Sequence, residues 1–558
     1  ATRVDASQLI EKGRENLLTY SNDFSQWTKQ NVTIADNAIA NPFGSGNTQT
    51  MTELVATSQF RVYSGSATTT SGTMYSHSVY VKRLTGTRDF ALIDVFGGAR
   101  VYFNMTTISV GSELVGKGKI EDVGNGWYRL SIYGLATGNS SFYLAMSNGT
   151  TGGAETYTSD GSGSFALYAA QVELGLAATE VIESGATTGK AGLLEDTPRF
   201  DYSGGATCPS LLLEPSRTNL VPYSEYFGGT GWNIIGSLTL TTNTDEATSP
   251  EGLKNAALLT SANATSEQLL TIGSLSTTNG QGYTLSIIAK KKDFDFIMLK
   301  FQGSGGAFSA GSVWFNLSTG VVATEDSGKT GHIQEIGNGW YKCSATATAT
   351  GTTASATCRV QLASADNTDA LAGDGSKGTY IYGAGFEQGS YPTSYIPTYG
   401  VSQTRAGELA QSPSNTFSSL SIFTWFVEIS RIGFSNDSSG AALTLRNSSG
   451  AEQIRLHFDY PSELIRFRDA VNGYATVGNS VNVVADTYYK LCIVSDGVTM
   501  KTFVNGSQNG AAYTIVNQAD IDRVYISGKL FDCKQLIVFP TALSDLDCEI
   551  LTGATTYN

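Results

Sequence analysis

Two short acidic turns and one aromatic–basic set are where this sequence could do chemistry. Asp160-Gly161-Ser162 and Asp374-Gly375-Ser376 each place a carboxylate on a turn, and Glu173 and Glu387 follow on the next strand. Such oxygen donors could contribute to a Ca²⁺ site, which needs several oxygen ligands. They equally make plain turns that need no metal, with Glu173 and Glu387 then facing solvent. Farther along, Tyr460, Arg468 and Tyr474 offer aromatic faces and a bidentate donor, a set suited to a glycan; the bland reading is three solvated loop residues. Trp127 and Trp340 could also stack on sugars. Each, however, opens a strand straight after a turn in its own copy of a repeat, so both are read as structural core.

Catalysis is not expected. Glycoside hydrolysis needs two carboxylates held about 5–10 Å apart, and residues 411–558 contain no Glu-x-Asp-x-x-Glu strand. Three histidines (His77, His332, His457) leave little for a Ser/His/Asp set or a metal hydrolase. Gly303-Ser304-Gly305-Gly306 lacks the Lys and the strand–helix context of a phosphate loop.

The elements that must position these residues come in two copies. Gly124-Asn125-Gly126-Trp127-Tyr128-Arg129 is answered by Gly337-Asn338-Gly339-Trp340-Tyr341-Lys342. Asn16-Leu17 with Tyr20-Ser21 is answered by Asn219-Leu220 with Tyr223-Ser224, and Val101-Tyr102-Phe103-Asn104 by Val313-Trp314-Phe315-Asn316. The landmarks lie about 200 to 215 residues apart, far beyond a solenoid period of roughly 20–50 residues. A whole domain is duplicated in tandem. Within each copy, strands such as Ser76–Lys82 and Thr284–Lys290 alternate polar and apolar residues, and strands recur at about 8–15 residue spacing without helical periodicity, the pattern of a sandwich or jelly roll. The reading is a lead-in at 1–15, a jelly-roll module at 16–180, a connector at 181–218, a second module at 219–405 and a different domain at 411–558. The lead-in is read as a linker or as a clip onto a neighbouring domain. In the connector, Leu211-Leu212-Leu213 is expected to dock as a strand on a neighbour. In the last domain, Ser421–Ile429 reads as a strand buried on both faces, and Ser544 as the cap of a short terminal helix.

Composition agrees with an all-β protein: 62 Gly, 27 Tyr and 25 Phe in 558 residues, with only 15% charged. The net charge of −14 argues against sequence-independent nucleic-acid binding, which rests on Lys and Arg neutralising phosphates. No apolar run approaches the ~18 residues of a membrane-spanning helix, so membrane insertion is not expected. Of six cysteines, Cys343 with Cys358 and Cys533 with Cys548 could face each other across neighbouring strands; otherwise all are buried free thiols.

The Trp425 strand, Tyr488–Gly497, Val504-Asn505-Gly506 and Ala542-Leu543-Ser544-Asp545 with Glu549-Ile550 resemble a concanavalin A-like lectin/glucanase (laminin-G-like) sandwich. The two repeats resemble the carbohydrate-binding-module-like jelly rolls of tailed-bacteriophage tail, fibre and appendage proteins. That resemblance is carried by Asn219-Leu220, Gly337–Tyr341 and Tyr395-Ile396-Pro397-Thr398 with Thr404-Arg405. The first repeat departs from it, ending in Ala178-Thr179-Glu180-Val181-Ile182-Glu183. The resemblance implies a phage structural protein on the virion surface, with other virion proteins and a host cell-surface glycan as partners and a homo-trimer as its form. It implies no cofactor. The alternatives are an architectural component that touches no sugar and, behind it, a polysaccharide depolymerase.

Overall fold

The computed structural model describes residues 2–553, apart from 47, 66, 94–99, 139–140, 196, 208, 304–305, 409, 414–415, 432–439, 460–463, 485–486, 519 and 527–530. It is an all-β protein of three sandwiches. Among the described residues the one α-helix is Asp545–Gly553, and the Ser544 hydroxyl accepts the Asp547 amide at 3.1 Å as its cap.

The two repeats share one topology. In the first, one sheet runs Lys117–Gly124, Trp127–Leu135, Met74–Thr85, Ser164–Leu174, Thr48–Glu53, Val32–Asn37; in the second, the same positions are Lys329–Gly337, Trp340–Thr348, Gly282–Lys291, Gly378–Gln388, Ala257–Thr260, Thr239–Thr241. The facing sheets correspond as well, with Thr57–Tyr63, Tyr143–Ser147, Asp89–Ile93, Arg100–Asn104, Ser109–Val115 matched by Leu269–Thr277, Thr353–Ala363, Phe296–Phe301, Gly311–Asn316, Val321–Glu325. Between the sheets lies an apolar core, with Phe60, Val79, Phe90, Leu130 and Phe165 in the first module and Leu270, Leu285, Ile297, Phe315 and Phe386 in the second. The Gly-Asn-Gly turns work as their residue types require: Asn125 and Asn338 sit at φ 54° and 53°, the left-handed region that Asn and Gly tolerate. A lysine from the adjacent strand ties each turn down, Lys82 to the Asn125 carbonyl at 2.7 Å and Lys290 to that of Asn338 at 2.8 Å.

Trp127 and Trp340 are buried, but not between the sheets. Each lies on the outer face of its sheet under a loop, donating its indole N–H to the carbonyl of Ala40 (3.2 Å) or Thr248 (3.1 Å). Over Trp340 the cover includes the lead-in, whose hairpin Thr2–Val4 with Ile10–Lys12 packs Val4 and Ile10 against Leu258, Ile288, Ile336 and Trp340.

The first module also runs past residue 180. Strand Arg14–Asn16 pairs with Gly189–Ala191, just as Arg217–Asn219 pairs with Gln403–Arg405 in the second. The connector then feeds the third domain: Ser210–Leu213 pairs with Phe531–Phe539 at the edge of a sheet that continues through Ile422–Arg431, Tyr488–Asp496 and Thr499–Val504. In strand Ile422–Arg431, residues from both faces between Phe423 and Ser430 are buried. Phe423, Trp425, Val427 and Ile429 enter the sandwich, while Phe426 joins Cys492, Phe503 and Cys548 beneath the helix.

The described cysteines are buried free thiols, as the sequence favours, and neither of the two facing pairs forms. Cys343 and Cys358 belong to opposite sheets of the second module and are free thiols in its core. Cys548 lies on the helix with its sulfur 3.8 Å from that of Cys492, not beside Cys533, because the helix docks on strand Tyr488–Asp496.

Candidate functional site

Within each repeat, the polar side chains at the duplicated landmarks are engaged by the fold. Asn16 donates to the carbonyls of Ala170 (3.0 Å) and Ile182 (2.9 Å) and accepts from the amides of Leu18 and Val172 (both 3.1 Å). Asn219 does the same with Ala384 (3.0 Å), Ile396 (2.8 Å), Val221 (3.1 Å) and Phe386 (3.0 Å). Glu173 and Glu387 do not face solvent. Both are buried and accept from the backbone N–H of Thr179 or Thr393, at 3.0 Å in each case, and from its hydroxyl. A carboxylate held this way fixes the chain segment that follows its strand.

Asp160 and Asp374 sit on exposed turns whose own donors occupy them. Asp160 accepts the Ser162 hydroxyl (2.7 Å) and amide (3.0 Å), and Asp374 the amides of Ser376 (2.9 Å) and Lys377 (3.0 Å). These bonds stabilise the charged form and hold both carboxyls below the usual range. Among the described residues no group of three or more His, Cys, Asp or Glu side chains is placed to hold a metal ion.

The junction between units is ionic. Lys12 bridges Glu225 (2.6 Å) and Glu251, Arg14 pairs with Glu251, and the Tyr382 and Tyr395 hydroxyls donate to Glu251 and Glu225. Glu214 of the connector lies between Arg199 and Arg405, each at 2.8 Å. Burial pushes its carboxyl up, yet the two guanidiniums and the Ser394 bonds outweigh this and hold it at about 2. Beside it lies a cavity of about 760 Å³ between the lead-in, the connector, the outer sheet of the second module and Ser430 and Tyr488 of the third domain. Its polar wall is engaged: Thr2 donates to the Tyr395 carbonyl (2.6 Å) and Lys342 to that of Thr393.

The third domain differs. On the sheet that runs Arg523–Ile526, Gly440–Arg446, Glu452–Asp459, Leu464–Asp469, Ala475–Asn482, alternation sends Leu443, Leu445, Ile454, Leu456, Ile465 and Phe467 into the core. The period of two then puts Thr444, Arg446, Arg455, His457, Asp459, Arg466 and Arg468 on the other face. Register aligns Tyr525, Thr444, Arg455, Arg468 and Thr476 in one row across five strands, and His457 opposite Arg466 in the next. Asp459 accepts from Arg468 (3.0 Å) and pairs with Arg466 and with His457 Nε2 (3.2 Å). Glu452 pairs with Arg455 and, at 3.4 Å, with Arg446. Two tyrosines frame the face: the Arg455 guanidinium lies 4.0 Å from the Tyr474 ring centroid and that of Arg446 3.7 Å from Tyr525. Burial first, then Arg468 and its neighbours, push His457 down to about 4 against the pull of Asp459, so it is neutral at pH 7.

Of the three glycan-site residues expected from sequence, Arg468 and Tyr474 fall on this face. Arg468 lies on a strand and is ion-paired with Asp459; Tyr474 is an exposed turn residue whose ring lies against Arg455. Tyr460 lies outside the described residues. Sequence reasoning missed Arg446, Arg455, Arg466, His457 and Tyr525. The alternation in Glu452–Asp459 and Leu464–Asp469, with its arginines at every second position, was the signal that could have found three of them.

No family model matches the chain, and no curated protein does. Among solved structures, the chain is similar to the N-terminal CBM22-1–CBM22-2 tandem domain of Paenibacillus barcinonensis Xyn10C, with 12% identity over 67% of this chain and 97% of that one, at a TM-score of 0.22. It is also similar to Trypanosoma rangeli sialidase, with 11% identity over 94% of this chain and 93% of that one, at a TM-score of 0.20. Neither likeness places a site on this chain.

Proposed function

We propose that the chain is a non-enzymatic display protein whose third domain recognises a glycan through the Arg446–Arg455–Arg468 face, the two repeats and their ionic junctions serving as a stiff support. The observation that carries this is the row Tyr525–Thr444–Arg455–Arg468–Thr476 with Tyr474 beside it. Flat rings accept apolar sugar faces, and guanidiniums with hydroxyls hold sugar oxygens in a fixed geometry. The finer reading is a tail or fibre component on a tailed-phage virion, anchored by other virion proteins and working as a homo-trimer. It rests on the sequence resemblance of the two repeats. Multiplying a shallow site by oligomerisation would supply avidity.

The second reading is architectural, and one observation favours it: the repeats spend their outer faces on their neighbours. Lys119 of the first reaches Asp245 of the second at 2.8 Å, and the Tyr399 carbonyl of the second accepts the Met74 amide of the first at 2.9 Å. A glycan array on the whole chain, beside an Arg468→Ala/Tyr474→Ala variant, separates the two. Binding to the parent and not to the variant is the expected result. A defined oligomer that binds no glycan leaves the architectural reading. Release of reducing ends from a bound polysaccharide would make the protein a depolymerase.

A further inference from the structure

We infer that the glycan recognised by the third domain is an acidic one, held by its carboxylate, sulfate or phosphate ester against Arg455, Arg466 and Arg468. The inference rests on the proposed glycan-binding role of this face and names its ligand class.

Charge balance points to an anion. The described side chains of the face include five guanidiniums, Arg446, Arg455, Arg466, Arg468 and Arg523, against three carboxylates paired with them, Glu452, Asp459 and Asp522. His457, neutral at pH 7, does not alter that count. The excess is positive on a chain whose net charge is −14. It is also concentrated: Arg455 and Arg468 are direct cross-strand partners, an arrangement in which like charges repel. Folding has no use for that juxtaposition, whereas a bound anion between the strands turns the repulsion into attraction.

Unused donors point the same way. Arg455, Arg466 and Arg468 each keep a buried Nε with no hydrogen-bond partner among the described residues. Buried polar groups are normally paired, and a guanidinium offers Nε and one Nη as a fork that matches the two oxygens of a carboxylate, sulfate or phosphate. Asp459 occupies one edge of Arg466 and of Arg468, orienting them as an internal counter-ion. A buried Nε without a partner also occurs at Arg129 and Arg405 in the repeats, so what sets this face apart is the excess and cross-strand crowding of its guanidiniums.

The test uses the whole chain and an array carrying neutral glycans together with uronate-, sialate- and sulfate-bearing ones, with inorganic sulfate titrated separately. The expected result is binding of acidic glycans only, weakening about tenfold or more between ~0.05 and ~0.5 M NaCl as charge is screened, and lost in Arg466→Gln/Arg468→Gln. The salt series on the unaltered protein stands even if that variant misfolds. Equal binding of neutral glycans with no salt dependence overturns the inference and leaves the glycan-binding role intact. Sulfate binding without any glycan binding overturns the glycan-binding role and leaves an anion site. Absence of both overturns both.

Discussion

The outer sheet faces of the repeats and of the third domain use charge in opposite ways. In the repeats a buried or half-buried charge meets a partner from the same chain, often across a unit boundary: Lys12 with Glu225, Glu214 with Arg199 and Arg405, Lys119 with Asp245. In the third domain arginines outnumber carboxylates among the described side chains of one sheet face. Charge at the unit boundaries meets opposite charge of the chain, whereas the described side chains of the third-domain face keep an excess of guanidiniums. Arg129 and Lys342 sharpen the point within the repeats. At the same place after the same turn, each reaches a backbone carbonyl of the segment beyond its glutamate strand, that of Thr179 or of Thr393.

The comparison breaks most visibly at Glu214. Replacing it by Ala leaves Arg405 buried without its carboxylate while Arg199 keeps Glu408, with an expected loss of about 3–5 kcal/mol, read as an early transition in thermal unfolding. Should Glu214→Ala unfold with the parent, the junction is not a structural element and the contrast with the third domain fails. Next come Asn16→Ala and Asn219→Ala. Each strands buried backbone groups and should cost about 1–3 kcal/mol, to a similar degree in both copies. A large effect in one copy alone would show that the duplication no longer carries equal weight.

Acid should weaken the repeats. His77 is buried in the first module, stacked edge-on against Phe142 at 5.6 Å, and burial pushes it down to about 3. The unfolded chain, with an ordinary value near 6.5, then binds the proton that the folded chain refuses, so stability falls as pH drops from about 6.5 towards 3. Glu214, held at about 2 when folded, adds a loss below its ordinary value of about 4.3. His77→Leu should remove the first of these and raise stability at pH 5, by about 1–3 kcal/mol, measured by denaturant titration at pH 7 and 5. No change in the pH profile would refute the assignment. The smallest effect is expected at Arg468→Gln. Its partly exposed pair with Asp459 should count for no more than about 1 kcal/mol of stability, while glycan binding is lost. A large unfolding effect there would mark the arginine face as another structural junction.

Much of the fold was legible because strands and turns write themselves locally. Alternation marked Ser76–Lys82 and Thr284–Lys290, Gly-Asn-Gly marked the turns, and the apolar run in the connector marked a docked strand. The divergent end of the first repeat proved harder to judge. Ser184 exchanges hydrogen bonds with Ser21 (3.1 and 2.9 Å) as Thr398 does with Ser224 (2.9 and 2.8 Å), so a hydroxyl preserves the corner where the Tyr-Ile-Pro-Thr wording is gone. The site was legible only in part. Arg468 and Tyr474 stand out as residue types, but the positions opposite them do not, since cross-strand neighbours come from other segments.

The sequence by itself settled an all-β chain with a duplicated unit and a distinct third one, because side-chain period and turn chemistry are local properties that need no partner. Only the tertiary structure decided where charge ends up. It buried Glu173 and Glu387 beneath the segments that follow their strands, set Cys548 beside Cys492, and drew residues 210–213 onto the third domain's sheet. It also aligned Arg455 with Arg468. Each of these depends on register and on which surfaces meet, and a one-residue slip of a strand would have sent every one of those arginines to the opposite face.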